Sequence, residues 1–144
     1  MNSLDTNILL YASNTACSEH ERARAVVDLL LAKPGDWIIV DQVLLEFYRA
    51  MRNPKVLARP RSAGEAARLI HFYRAEAGCA HVGYEEAAWK LIYPWLEKSS
   101  FPASRTFDAQ LAATLRHHGV TRFYTRNTKD FSGFGFKDVI NPLD

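Results

Sequence analysis

Four acids stand where apolar runs of the chain begin or end: Asp5 in MNSLDTNILLYA, Glu46 in VLLEFYRAM, Asp108 in RTFDAQLAATL and Asp130 in TRNTKDF. Each alone has an ordinary use. Asp5 would cap a helix, Glu46 would face solvent, Asp108 would sit at the positive end of a helix dipole, and Asp130 would close an Asx-type turn. Brought together, the four would repel and raise one another's pKa until a cation neutralised them. With no His or Cys at ligand spacing, that site would be all oxygen, which suits Mg²⁺ or Mn²⁺. Such an ion acidifies a bound water and stabilises charge on a phosphoryl oxygen, so the chemistry indicated is phosphodiester hydrolysis. Thr6, Asn7, Thr125 and Asn127 flank the acids and could hold a carboxylate, a water or a phosphate oxygen. Turn and capping roles fit them equally well.

Whether the acids meet depends on the elements between them. Residues 2 to 4 read as a short strand entering a helix from Thr6 to about Ala12. Ser18-x-x-Glu21 reads as a capping box before a helix with Ala23, Val26, Val27, Leu30 and Leu31 inward, ended by Lys33-Pro34-Gly35. Trp37 to Val40 is a continuous apolar strand of the kind buried on both faces. Asp41 is expected to cap a helix through Val43, Leu44, Phe47 and Met51, and Ser62-x-x-Glu65 to open another reaching about Ala77. Cys79 to Val82 is a possible strand. A helix is expected over Tyr84 to Lys98 with Trp89, Ile92 and Leu96 inward and a kink at Pro94. Ser104 would cap a helix running to Gly119, and Arg122 to Thr125 and Val139-Ile140 complete the strands. Strands separated by helices predict a mostly parallel sheet in a three-layer α/β/α sandwich, one domain over residues 1–144. In open sheets of this kind ligands bind beyond the carboxyl ends of the strands, which is where three of the four acids fall. Asp108 instead heads the apolar stripe of Leu111, Ala112 and Leu115, where a charge needs a partner or a reason.

The bulk numbers describe an ordinary globular chain, 48% hydrophobic and 24% charged, with no run long enough to span a bilayer and no basic leader before Asp5. Cys17 and Cys79 form no C-x-x-C pair and read as reduced, packed thiols, so a cytoplasmic protein is expected. The net charge of +2 is unevenly spread: Arg49, Arg52, Lys55, Arg59 and Arg61 lie in residues 47–64, which contain no acid. This segment begins on the helix of Glu46 and could grip nucleic-acid phosphates or form a docking surface. His81, His117 and His118 are left outside the site, the last two because a helix C-terminus favours His.

In order and separation, LDTNILLYA, VLLEFYRAM, RTFDAQLAATL and TRNTKDF resemble the PIN-domain fingerprint and together span nearly the whole chain. The size is most similar to the toxins of VapBC-type toxin–antitoxin pairs. The resemblance implies an endoribonuclease dependent on Mg²⁺ or Mn²⁺, usually dimeric, silenced by an antitoxin that inserts into or covers the acidic site. It implies Asp5, Glu46, Asp108 and Asp130 as the acidic quartet, with Thr125 and Asn127 as the polar residues before the last acid. A haloacid-dehalogenase-like phosphatase would want a second Asp where Asn7 stands. A receiver domain would want an acceptor Asp after the third strand, where Cys79-Ala-His-Val offers none, and a dinucleotide site would want a glycine-rich turn where Asp5-Thr6-Asn7 stands. A non-catalytic RNA- or antitoxin-binding module stays open.

Overall fold

The computed structural model describes residues 1–144. Five short strands, β1 (Asn2–Leu4), β2 (Ile38–Val40), β3 (Ala80–Val82), β4 (Arg122–Tyr124) and β5 (Asp138–Ile140), alternate with six helices, α1 (Thr6–Ala12), α2 (His20–Ala32), α3 (Asp41–Met51), α4 (Ala63–His71), α5 (Trp89–Leu96) and α6 (Thr106–His117). Every pairing is parallel: β1 with β4, β4 with β5, and β2 with β3. A bridge between Asn2 and Trp37 joins the two parts, so the strand order is β3-β2-β1-β4-β5. Parallel neighbours require long crossovers, and helices supply them. On one side α1 packs on α2 and α3, and α3 on α4; separately α5 packs on α6. This is the α/β/α sandwich expected.

The strand order matters for function. The chain lays β2 and β3 on one side of β1, then crosses to lay β4 and β5 on the other, which makes the β1–β4 boundary the topological switch point. Leu4, Ile39 and Phe123 are fully buried, so this middle of the sheet is the dry floor under the switch point. The β1–β2 seam has one backbone bridge, and buried Ser3 reinforces it: its Oγ donates to the Ile38 carbonyl at 2.6 Å.

Local departures from the expected pattern have local causes. The box at Ser62 and Glu65 forms, with both reciprocal bonds made, but Ser18 caps nothing and α2 begins at His20 behind Glu19, whose side chain makes no cap. Asp41 is the first residue inside α3 instead of its cap, because its carboxylate is taken by Arg74 at 2.7 Å. The helix expected to reach Ala77 stops at His71 and widens into a π-type turn over Phe72–Glu76, which buries Tyr73. The next begins with a 3₁₀ turn at Glu86–Ala88, and α5 keeps Pro94 within it. Ile92 is buried and Leu96 half-buried, but Trp89 is 49% exposed. Ser104 lies in a 3₁₀ turn ahead of α6, and Gly119 stops that helix with φ +83°.

Replacing Ser3 by Ala removes the buried hydrogen bond across the seam. It is expected to lower stability by about 1–3 kcal/mol, read as a lower urea midpoint with an unchanged slope; an unchanged midpoint would show that the seam does not depend on this bond.

Candidate active site

Asp5 stands one residue beyond β1, and its placement follows from two backbone demands. Its N–H donates to the Tyr124 carbonyl at 2.9 Å, extending the β1–β4 ladder, and its extended conformation then caps α1. The carboxylate is thus held at the switch point, only 8% exposed. Oδ1 accepts from the Thr6 N–H at 2.8 Å, and Oδ2 from the Thr125 hydroxyl at 2.7 Å and the Asn7 amide at 3.3 Å. Thr125, fully buried, holds the matching position after β4. Asn7 also accepts from the Arg126 N–H at 3.2 Å, and the Asn127 N–H donates to the Thr125 Oγ1 at 3.0 Å. Asn127 therefore joins the network through its backbone.

Burial raises the Asp5 carboxyl from its usual 3.8 to about 6; the Thr125 and Thr6 hydrogen bonds oppose the rise, and the charges of Glu46 and Asp108 add to it. Glu46 reaches the cleft from the exposed flank of α3, one turn beyond the buried Val43. Its Oε2 accepts from the Thr6 hydroxyl at 3.1 Å and its Oε1 from Gln42 at 3.2 Å. Asp108 is half-buried in the first turn of α6. Its pKa is raised, first by burial and then by the charge of Asp130, with Arg105 opposing and Glu46 adding. Asp130 is exposed in the 3₁₀ turn Thr128–Phe131.

Asp5, Glu46 and Asp108 couple electrostatically with one another, and Asp130 with Asp108. No Lys, Arg or His nitrogen lies within 4.0 Å of any of them. They are not a closed cage, for no three bring their oxygens within 4.8 Å of one another. They form an open acidic cluster in which the Arg105 charge acts against the others at Asp108.

Arg105 was not singled out by the sequence. It donates to the Asp130 carbonyl from Nε at 3.0 Å and from Nη2 at 2.8 Å, reaches the Ser132 carbonyl at 2.6 Å, and lies 4.4 Å over the Phe134 ring. It fixes the turn of Asp130 to the start of the helix that carries Asp108. The only signal was its place three residues before Asp108, one helical turn away. Phe107, beside Asp108, is 71% exposed and shares a cavity of about 410 Å³ with Glu46, Gln42, Leu45 and Tyr84. Of the basic segment, Arg49, Arg52, Lys55 and Arg59 are exposed, and Arg52 donates to the Tyr48 hydroxyl at 3.1 Å. Arg61 is engaged internally, donating to the Ser13 carbonyl at 2.8 Å.

A parallel α/β/α fold with unpaired carboxylates at its switch point defines an acid-cleft protein of the doubly wound type. The chain belongs to the PIN-domain family, whose model matches residues 3–137. It is 41% identical to Ribonuclease VapC24 of Mycobacterium tuberculosis, over 99% of this chain and 97% of that protein. Among solved structures it resembles Mycobacterium tuberculosis VapC20, a Sarcin-Ricin loop cleaving toxin, with a TM-score of 0.68, 20% identity and coverage of 94% and 96% of the two chains. It also resembles a toxin–antitoxin complex from Klebsiella pneumoniae, with a TM-score of 0.63, 18% identity and coverage of 100% and 99%. At such identities the structural likeness speaks to the fold.

A carboxyl whose pKa is higher in the folded chain than in the unfolded one binds its proton more tightly when folded. The stability contributed by the Asp5 proton is therefore full below the unfolded value of 3.8 and lost as pH rises through about 6. Above that window the Asp5 charge costs the metal-free fold about 3 kcal/mol. Asp5→Asn is expected to melt higher than the parent at about pH 8 in EDTA, with the gain vanishing below about pH 4. An equal or lower melting temperature at the higher pH would contradict the buried, uncompensated charge.

Proposed function

We propose that this chain is an endoribonuclease, one PIN-like unit over residues 1–144, acting as the toxin of a toxin–antitoxin pair. The observation that carries the reading is the coupling of buried Asp5 to Glu46 and Asp108, none of which is in a salt bridge. The name of the VapC24 relative supports the substrate class, and the Klebsiella complex supports an antitoxin partner.

The donor set fits a hard divalent cation, since the four carboxylates offer only oxygen and none of them is in a salt bridge. Asp5 and Asp108 would hold Mg²⁺ or Mn²⁺, with Glu46 and Asp130 completing the acidic set. Such an ion, when bound, lowers the pKa of water and stabilises charge on the phosphoryl oxygens. Thr125, Asn7 and the Thr6 N–H keep the Asp5 oxygens fixed, so little reorganisation is needed. Glu46, oriented by Thr6 and Gln42, takes the proton of the attacking water. Water adds in line to phosphorus, the P–O3′ bond breaks and the departing O3′ takes a proton from solvent, leaving a 5′-phosphate and a 3′-hydroxyl. Arg49 at the end of the helix of Glu46, and Arg52, Lys55 and Arg59 just beyond it, hold flanking phosphates, and Arg61 anchors their loop.

Exposed Leu45, Tyr84 and Phe107 around the mouth of the cleft support a covering partner, the antitoxin. A homodimer follows from the family reading. No helix of the chain is long and apolar enough to cross a membrane. Free Cys17 and Cys79 support a cytoplasmic setting.

Purified protein with MnCl₂ is expected to cleave total cellular RNA into fragments that ligate through their 5′-phosphate without kinase treatment. Asp108→Asn is expected to lower the rate by about 10²-fold or more while leaving the circular-dichroism spectrum unchanged. Full activity in that variant, or cleavage that persists in EDTA, would sink the proposal.

A further inference from the structure

Away from the acidic cleft, another group of side chains converges. We propose that Glu85, His117 and His118 form a separate site for a borderline transition-metal cation of the Zn²⁺ class. His118 Nε2 lies 3.0 Å from Glu85 Oε1, and His117 Nε2 lies 3.4 Å from Glu85 Oε2. All three ligand atoms fall within 4.8 Å of one another. A tetrahedral ion with bonds of about 2.0–2.1 Å sets its ligand atoms roughly 3.3–3.4 Å apart, so the existing spacing needs only small side-chain movements.

The ring orientation is already fixed. His118 Nδ1 lies 2.9 Å from the Thr114 carbonyl, which can only accept, so Nδ1 carries a proton and Nε2 is the nitrogen that faces Glu85. A ligating His is oriented in the same way by a hydrogen bond from its other nitrogen. The His117 and His118 rings meet edge to face, centroids 5.0 Å apart at 83°, so both nitrogens address the same carboxylate instead of stacking. A cation here would also complement the negative end of α6.

Two imidazoles and one carboxylate select a different metal from the all-oxygen cleft. His118 follows Asp108 by ten residues along α6, about 15 Å at 1.5 Å per residue, so the two sites share no ligand. Glu85 directly precedes the 3₁₀ turn that leads into α5. The ion would tie the β3–α5 connection to the end of α6, and its effect is on stability, not on hydrolysis.

The test is calorimetric titration of ZnCl₂ into the full chain carrying Asp5→Asn and Asp108→Asn, which removes the cleft as a source of Zn²⁺ heat. One Zn²⁺ per chain is expected, with no comparable heat from MgCl₂. His117→Gln and Glu85→Gln, both at exposed positions, are each expected to weaken binding by about tenfold or more, while the melting temperature in EDTA stays near the parent value. Absence of saturable Zn²⁺ binding would overturn the site and leave a histidine–carboxylate ion pair. Binding that neither substitution weakens would place the metal elsewhere and overturn it equally.

Discussion

The site depends on one constraint: a carboxylate fixed where a parallel ladder ends and a helix begins. Asp5 cannot retreat into solvent, because its N–H is the last rung between β1 and β4 and its side chain already receives the first N–H of α1. Ionised, it is partly desolvated beside two other acids. Hydrogen bonds from Thr125 and Asn7 soften that cost without removing it. A group held in this way favours whatever cation the cleft admits.

Much of the remaining architecture serves to bring the other acids to that point. Strand order β3-β2-β1-β4-β5 puts β1 in the middle, so α3 after β2 and α6 before β4 both start at the same edge of the sheet. Ser3 bonds β1 to β2, the strand that leads into the helix of Glu46. Arg105 links the turn of Asp130 to the start of α6. Each connection joins segments remote in sequence. An error at any one of them would separate the acids while leaving the helices intact.

The strands and most helices were legible because burial imposes a period. Trp37 to Val40 is apolar at every position and is buried on both faces, and the stripe of Val43, Leu44, Phe47 and Met51 defines the inner side of α3. The acids were legible because Asp5 and Asp130 follow strands, Glu46 lies on the helix that follows β2, and Asp108 stands in the first turn of α6. Helix starts were less so, since capping is a competition. Ser62 wins its box with Glu65, but Ser18 does not, and Asp41 is drawn away by Arg74, thirty-three residues distant. Trp89 broke the amphipathic reading because the 3₁₀ turn before α5 changes its angular phase. Arg105 was hidden for a similar reason: its partners are backbone carbonyls, which no residue pattern advertises.

The tightened hold of the buried Asp5 carboxyl on its proton, and the release of that proton to a cation near pH 6, can be measured directly. Calorimetric titration of MnCl₂ at about pH 6 in two buffers of different ionisation enthalpy reports protons released per ion bound. With the Asp5 pKa at about 6, close to half a proton per ion is expected there, falling toward none at about pH 8. Binding with no proton release at the lower pH, or equally tight binding by Asp5→Asn, would contradict it.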